Sequence, residues 1–198
     1  MTIRLHESKT SRRGTRESCS IAFRTAPVTV EHSAESVFLG LGSNEGDRLS
    51  NLRASLGHLG AHPGITIGIV SSIYETEPVG GMPQAWFLNM VAECRVSLSP
   101  FELLRVVKRI ERVMGRVAGS HWGPRIIDID ILLFGGAHLA TPDLEVPHTE
   151  LWNRAFVLAP LLDVLPPGTL WDRARQRLEH LSTGSVVHRW DPDAGTGL

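Results

Sequence analysis

The sequence predicts an α+β fold in which an antiparallel sheet carries helices on one face and a polar site on the other. Residues 87–96 alternate between apolar and polar side chains, and residues 126–134 interrupt a run of aliphatic residues with two aspartates. Because successive strand side chains point to opposite faces, each segment buries one face and presents polar groups on the other. The apolar faces are Leu88, Met90, Ala92, Cys94 and Val96 in the first segment and Ile127, Ile129, Ile131 and Leu133 in the second.

The residues before the first of these strands predict a strand, a helix and a second strand. Residues 37–41 form a short apolar run, which is typical of a strand. Isoleucines alternate from residue 65 onward, which predicts a strand that continues to Tyr74, and residues 75–84 form a loop rich in turn residues. The helix between the strands ends near Gly60 and has leucines at helical spacing, namely Leu49, Leu52, Leu56 and Leu59.

A second helix begins directly after residue 98. Ser99 suits the N-cap, Pro100 the first helical position and Glu102 the closing position of a capping box. The helix is expected to end at Gly115. Its predicted buried stripe is Leu103, Leu104, Val107, Ile110, Val113 and Met114. Its predicted exposed side carries Arg105, Lys108, Arg109, Glu111 and Arg112.

The chain is predicted to contain one domain, residues 37–182, between two tails. Residues 1–36 are rich in arginine and serine without periodicity, which predicts disorder, and residues 183–198 form a C-terminal tail. An organellar transit peptide is the alternative for the first segment, although its glutamates argue against one. After Phe134 we expect a turn at Gly135, a short return strand over residues 137–140, short helices over 153–162 and a last helix over 171–181.

Composition limits the class of protein. The 198 residues are 42% hydrophobic and carry a net charge of −1, so the chain has no overall basic field that would attract nucleic acid. Its two cysteines are not spaced as a metal site. No apolar run reaches the length of a membrane span, and the first residues lack the apolar core of a secretory signal. We expect a soluble cytoplasmic protein that binds neither nucleic acid nor membrane.

The two aspartates of the second strand are the strongest chemical signal. Asp128 and Asp130 point to the same face with Cα atoms roughly 6.6–7 Å apart. Like charges this close are costly unless a cation or strong donors neutralise them, and oxygen ligands suit Mg²⁺. Residues 116–125 form a glycine-bearing loop with an arginine at each end, which is typical of a clamp on phosphates. An edge strand with two solvated aspartates is the alternative.

Several separate short motifs follow one another between residues 37 and 167. They are Gly42-Ser43-Asn44, Tyr74-x-Thr76-x-Pro78-x-Gly80, Phe87-Leu88-Asn89, Arg109-Ile110-Glu111 with Gly115-Arg116, Trp122-Gly123-Pro124-Arg125-x-x-Asp128-x-Asp130, Val146-Pro147-His148 and Arg154-x-Phe156-Val157-Leu158. Their order and spacing resemble those of one enzyme family, 6-hydroxymethyl-7,8-dihydropterin pyrophosphokinase of folate biosynthesis. The resemblance implies a ferredoxin-like fold and transfer of a diphosphoryl group from ATP to the pterin hydroxymethyl oxygen, with release of AMP.

The resemblance also implies roles for individual residues. Asp128 and Asp130 would bind two Mg²⁺ ions, and Arg116 and Arg125 would hold the phosphates as charge shifts toward AMP. The ATP-contacting positions would be Lys108, Glu111, Arg116, Trp122, Arg125, Ile131, His148 and Arg154. The pterin-contacting positions would be Thr76, Glu77, Val79, Phe87, Asn89, Trp122 and Phe156. Such a chain is expected to be a monomer that can associate with other folate-pathway enzymes.

Each of these roles has a simpler alternative. Phe87, Trp122 and Phe156 could be core aromatics, His148 a structural hydrogen-bonding group, and Lys108 with Glu111 part of a solvated helix face. Two other function classes also stay open at this point. One is a metal-dependent transferase of the polymerase-palm or cyclase type, and the other is an RNA-binding module on the same fold. Two aspartates on the sheet face disfavour the RNA-binding module, because they would repel phosphate.

Overall fold

Eight strands and four helices make up the computed structural model, which describes residues 33–78, 84–116, 123–181 and 186–191. Within these residues no helix is long and apolar enough to cross a membrane. The strands are β1 (Glu35–Ser43), β2 (Ile65–Val70), β3 (Tyr74–Thr76), β4 (Phe87–Val96), β5 (Asp128–Phe134), β6 (Leu139–Ala140), β7 (Glu145–Val146) and β8 (Val187–Arg189). The helices are α1 (Arg48–Gly60), α2 (Pro100–Val113), α3 (Ala155–Val164) and α4 (Thr169–Leu181).

Strand β4 lies at the centre of the main sheet because both of its edges are paired. Along one edge it pairs with β1, from Glu35 opposite Val96 to Ser43 opposite Leu88. Along the other edge it pairs first with β2 and then with β3. Strands β5 and β8 complete the sheet beyond β1 and β3. These pairs are antiparallel, as predicted, and β4 covers the predicted residues.

The two faces of the main sheet bury separate cores. On the first face, the apolar side chains of β1, β4 and β5 pack against α1 and α2, as predicted. On the second face, Phe38 of β1 and Val91 of β4 pack with α3 and α4. The expectation that helices cover a single face is therefore too simple. Most residues of α3 are buried, so this helix needs cover from both the sheet and α4.

A β-bulge in β5 changes which residues face the first core. Residues 39 and 38 of β1 pair with Ile131 and Leu133, so Leu132 is an extra residue on β5. Ile127, Ile129 and Ile131 pack in the first core, whereas Leu132 and Leu133 pack in the second. The prediction that Leu133 continues the isoleucine face is therefore wrong, because the bulge breaks the alternation.

The predicted strand over residues 65–74 is two strands, β2 and β3, separated by residues 71–73. Ser71 donates its backbone N–H to the Val91 carbonyl and accepts the Val91 N–H on its hydroxyl. A side-chain oxygen thus replaces a ladder partner at this point. The pairing register with β4 also shifts, and Ile69, the last of the alternating isoleucines, is 57% exposed.

Other differences lie at the ends of elements. Residues 137–140, predicted to return along β5, contribute β6, which pairs with β7 in a separate two-stranded sheet. Residues 187–189, predicted as tail, form the edge strand β8 beside β3.

Val113, predicted in the buried stripe of α2, is 66% exposed because it lies at the last turn. Strand β1 already begins at Glu35, and the predicted disorder of residues 1–32 lies outside the described residues.

The capping box predicted for α2 is present. The Glu102 backbone N–H donates to Ser99 Oγ, and the Ser99 backbone N–H donates to Glu102 Oε2 at 2.8 Å. Pro100 occupies the first helical position. The start of α2 is therefore fixed by local residues, which explains why the sequence alone locates it.

Replacing Ser99 with alanine should lower the free energy of unfolding by about 1 kcal/mol, because the helix loses its N-cap acceptor. Urea denaturation followed by circular dichroism measures the change. Ser97→Ala, at an exposed position two residues earlier, is the matched control and should stay within about 0.5 kcal/mol of the wild type. Equal losses in the two variants would contradict a capping role for Ser99.

Candidate active site

A cavity of about 380 Å³ opens on the second face of the sheet, where β1, β4 and β5 meet the first turn of α3. Its walls combine backbone from β1 with side chains from the other three elements. Most of the residues that the sequence assigned to the site line this one cavity. They are Thr76, Glu77, Phe87, Asn89, Arg125, Asp128, Asp130, Arg154 and Phe156.

Glycines of β1 form part of the cavity wall. A Cβ atom on Gly42 would lie 2.8 Å from Asn89 Oδ1, and one on Gly40 would lie 3.3 Å from Leu132 Cδ1. Glycine inside a strand often marks a close approach of another group to the backbone, so this Gly-x-Gly pattern was the available signal. The sequence assigned no role to several other lining residues, including Gln84, Gly123, Leu132 and Val157.

One end of the cavity, which we call the amide end, is formed by Thr76, Phe87, Asn89 and Phe156. Asn89 is 7% exposed and donates from Nδ2 to Thr76 Oγ1 at 2.8 Å. Thr76 lies on β3 and pairs in register with Phe87 on β4. Since a carboxamide offers two donors and one acceptor oxygen, the amide end combines hydrogen-bonding groups with two aromatic rings.

The other end, which we call the acidic end, is formed by Arg125, Asp128, Asp130 and Arg154. Asp128 Oδ1 lies 2.6 Å from Arg116 Nη1, and Asp128 Oδ2 accepts a hydrogen bond from Arg125 Nη1. Asp130 has a weaker partner, because its Oδ1 lies 4.0 Å from His148 Nε2. Burial, and then the charge of Asp128, raise the pKa of Asp130. Nearby cations therefore neutralise the negative charge of Asp128 more completely than that of Asp130.

Glu111 lies behind the acidic end with 2% of its side chain exposed. Its Oε1 is 2.5 Å from Arg116 Nη1 and accepts the Ile129 backbone N–H at 2.9 Å. Lys108 Nζ lies 3.1 Å from the same carboxylate. The prediction that Glu111 belongs to the exposed side of α2 is wrong, because cations and an N–H donor allow its burial. Ile129 lies between the two aspartates, so Glu111 fixes the backbone from which they project.

Arg116 is shared between Glu111 and Asp128. Burial favours loss of its proton, but the charges of Asp128 and Glu111 outweigh that effect and raise the pKa of Arg116. The guanidinium therefore provides a permanent positive charge beside the acidic end.

Asn44, in the turn after β1, connects the segments that precede β4 and β5. Its Oδ1 accepts the Arg125 backbone N–H at 2.7 Å, and its own backbone N–H donates to the Arg125 carbonyl at 3.1 Å. Its Nδ2 donates to Gln84 Oε1 at 3.2 Å and to the Ala85 carbonyl at 3.3 Å. These partners are distant in the sequence, so local patterns did not reveal the role of Asn44.

Comparison with known proteins identifies the family. The family model described as 7,8-dihydro-6-hydroxymethylpterin-pyrophosphokinase (HPPK) matches residues 38–166. The chain belongs to the HPPK family. It is 49% identical over 127 residues, 64% of this chain and 76% of the relative, to the 2-amino-4-hydroxy-6-hydroxymethyldihydropteridine pyrophosphokinase of Bacillus subtilis (strain 168). It is 42% identical over 131 residues, 66% of this chain and 38% of the relative, to the bifunctional protein FolKE of Lactococcus lactis subsp. cremoris.

A solved structure supports the fold. The crystal structure of Plasmodium falciparum HPPK-DHPS with SDX-DHP aligns over 78% of this chain and 47% of that chain, with a TM-score of 0.61 and 16% identity. Identity this low shows the fold alone, and it confirms the predicted α+β class. Membership of the HPPK family separates the chain from the polymerase-palm and RNA-binding alternatives.

The remaining HPPK-like positions lie around the cavity or outside the described residues. His148 Nδ1 accepts the Glu150 N–H at 3.2 Å, so a neutral ring carries its proton on Nε2, the atom that lies nearest to Asp130. Ile131 is 3% exposed and packs in the first core, so its side chain does not line the cavity. Val79 and Trp122 lie outside the described residues, and their roles stay predictions.

Asp128 and Asp130 are the carboxylates at the acidic end of the cavity that could hold a metal ion. Among the residues that the structure describes, no cluster of three or more histidine, cysteine or acidic side chains is arranged to hold one. Mg²⁺ commonly binds through one or two carboxylates, with phosphate oxygens and water as the other ligands. The donor set therefore fits Mg²⁺ shared with a phosphate-bearing substrate better than a metal held by protein alone.

Asp128→Asn and Asp130→Asn should have different effects on the ligand-free HPPK chain. Asp128→Asn weakens the ion pairs with Arg116 and Arg125 and should lower the free energy of unfolding by roughly 1–3 kcal/mol. Asp130→Asn removes a like charge beside Asp128 and should leave the free energy of unfolding unchanged or raise it. Urea denaturation in EDTA measures both, and each variant is the matched control for the other. A larger loss of free energy of unfolding in Asp130→Asn than in Asp128→Asn would contradict the stronger neutralisation of Asp128.

Proposed function

We propose that this chain transfers a diphosphoryl group from ATP to the hydroxymethyl oxygen of 6-hydroxymethyl-7,8-dihydropterin and releases AMP, a step of folate biosynthesis. Membership of the HPPK family supports this activity, with ATP as co-substrate. One observation carries the proposal for the site. A single cavity is lined by an amide and two aromatic rings and also by paired carboxylates and arginines. These are the groups that a pterin and a triphosphate require.

We place the pterin at the amide end. Phe87 from β4 and Phe156 from α3 supply rings from two elements, between which a flat heterocycle can stack. The bond from Asn89 to Thr76 holds the carboxamide, whose second N–H and Oδ1 can pair with the edge of the pterin. Gly42 leaves room for Oδ1, because any larger residue there would collide with it. Glu77 lines the same cavity from the segment after β3.

We place the triphosphate at the acidic end, with Asp128 and Asp130 as ligands of two Mg²⁺ ions. When bound, the ions would neutralise negative charge on the phosphate oxygens. Asp128 would hold metal with the carboxylate that contacts Arg116 and Arg125 in the ligand-free chain. Glu111 contacts Arg116 and Asn44 holds the backbone of Arg125, so both guanidiniums would stay beside the site and available to phosphate.

The arginines stabilise the charge that shifts toward AMP as the bond between the α- and β-phosphates breaks. Groups held in place before the reaction stabilise the transition state without reorganisation. Arg154 interacts with both ends, because its guanidinium lies 5.6 Å from the ring centroid of Phe156 and its charge acts on Asp130. We therefore propose that Arg154 lies where the hydroxymethyl group of the pterin would meet the triphosphate.

The other nucleotide assignments divide into direct and indirect roles. We assign Lys108 and His148 to direct contact with ATP, since His148 Nε2 lies 4.0 Å from Asp130 Oδ1 and the positive charge of Lys108 acts on Asp130. Glu111 acts through Arg116, because its carboxylate is already surrounded by protein donors. Ile131 can contact ATP only through its backbone, because its side chain is buried in the first core.

We also propose association with other folate enzymes. FolKE is named as bifunctional, and the structure from Plasmodium falciparum is named HPPK-DHPS, so relatives of this chain occur within larger proteins. A monomeric state and a cytoplasmic location stay predictions from the sequence.

Release of AMP from ATP, measured with and without 6-hydroxymethyl-7,8-dihydropterin, tests the proposed function. The wild type should form AMP and the pterin diphosphate only when both substrates and Mg²⁺ are present. Chromatography of the nucleotides distinguishes AMP from ADP. Pterin-dependent release of ADP would contradict diphosphoryl transfer. Release of AMP without pterin would contradict the proposal that the pterin is the acceptor.

Asn89→Ala should raise the KM for the pterin about tenfold or more, because loss of a buried paired amide costs roughly 1–3 kcal/mol. The KM for ATP should change little, since Asn89 lies at the amide end. Steady-state kinetics with each substrate varied in turn measures both constants. Asn153→Ala, an exposed amide outside the cavity lining, is the control and should resemble the wild type. Equal increases in both KM values would assign Asn89 to the scaffold.

A further inference from the structure

Arg48, the first residue of α1, joins three separate segments behind the amide end. Its Nη1 donates to Glu75 Oε1 at 2.8 Å and to the Trp86 carbonyl at 2.7 Å. The side chains of Arg48 and Glu75 are each 27% exposed, so the ion pair is partly shielded from water. One guanidinium nitrogen thus connects the start of α1 to β3 and to the residue that precedes β4. We call this group of three residues the clasp.

The partners of Arg48 directly precede two residues of the amide end. Glu75 is followed by Thr76, and Trp86 is followed by Phe87, and Thr76 and Phe87 pair in register. Side chains alternate along a strand, so Glu75 points away from the face on which Thr76 lines the cavity. Arg48 itself does not line the cavity. The clasp therefore holds the two strand ends from the opposite face of the sheet.

Trp86 has a second support from the C-terminal strand. Its indole stacks on His188 with ring centroids 5.5 Å apart and an interplanar angle of 16°. His188 in turn pairs in register with Glu75. The backbone and the ring of Trp86 are thus held by different elements, which limits movement of the peptide that leads into Phe87.

We propose that Arg48 is a positioning residue for the pterin and acts through Glu75 and Trp86. Without its guanidinium, the Trp86 carbonyl loses a charge-assisted donor and Glu75 loses its counter-charge. Thr76 and Phe87 would then be less well fixed relative to each other. This disturbs the hydrogen bond that Asn89 Nδ2 donates to Thr76 Oγ1, and it disturbs the ring that stacks on the pterin. The inference rests on the proposed function, because it presupposes pterin at the amide end.

The acidic end should be insensitive to Arg48. The contacts of Arg48 in the described part of the chain lead to β3 and β4, whereas Asn44 of the same turn holds the backbone of Arg125. Loss of Arg48 should therefore affect pterin binding selectively. A general loosening of the fold would instead weaken the binding of both substrates.

Steady-state AMP release with each substrate varied in turn tests the role of Arg48. Arg48→Ala should raise the KM for the pterin about tenfold and leave the KM for ATP within about twofold of the wild type. Arg53→Ala, an exposed arginine on the same helix, is the matched control and should leave both constants unchanged. Glu75→Ala should also raise the KM for the pterin, but by less, because Arg48 can still donate to the Trp86 carbonyl. The double variant should be no worse than Arg48→Ala, since residues that act as one unit are non-additive.

Three results would overturn the inference. These are an unchanged pterin KM in Arg48→Ala, equal increases in the KM values for both substrates, and effects of Arg48→Ala and Glu75→Ala that multiply in the double variant. If Arg48→Ala does not fold, Glu75→Gln carries the test. It keeps an oxygen acceptor but loses the charge, so it should raise the pterin KM about threefold, and no increase overturns the inference.

The wild-type control separates this inference from the proposed function. A wild type without pterin-dependent AMP release would overturn the proposed function and the role of Arg48 with it. An active wild type together with an Arg48→Ala variant that behaves like Arg53→Ala would overturn the role of Arg48 alone.

Discussion

The repulsion between two carboxylates on one face of β5 is the physical constraint on which the site depends. Asp128 is tolerated because Arg116 and Arg125 contact it. Asp130 has no such close contact with His148, Lys108 or Arg154, and it is tolerated at the cost of a raised pKa. Each arginine is in turn fixed from behind, Arg116 by the buried Glu111 and Arg125 by Asn44. The two aspartates are thus stabilised by residues from three other places, namely α2, the turn after β1 and the segment before β5.

The parts of the fold that were predicted correctly depend on local patterns. Strand β4 covers the predicted residues because its alternation is unbroken, and α2 begins where its capping box lies. Asp128 and Asp130 share a face because two-residue spacing on a strand requires it. The family resemblance then supplied what local patterns do not, namely which residues from other segments join them. Seven of those residues line the same cavity as the two aspartates.

The features that were missed depend on partners far along the chain. Glu111 looked like an exposed helix residue, because nothing nearby in the sequence shows that Arg116 and the Ile129 N–H surround it. The bulge at Leu132 was missed because the neighbouring residues are all apolar, so the sequence does not show where the alternation between the two faces breaks. Strand β8 is short and polar, and it is held by pairing with β3 rather than by its own composition. Burial and pairing at these places are properties of the whole fold.

The central position of β4 has a consequence for how the enzyme acquires activity. Strand β4 pairs with β1 across a long stretch of chain, joining residues as distant as Glu35 and Val96. Loop closure of this kind slows folding relative to a helical protein of similar size. The cavity draws its walls from segments between Gly40 and Val157, so no short fragment contains it. Catalytic activity is therefore a measure of complete folding, and during refolding it should recover later than helix content does.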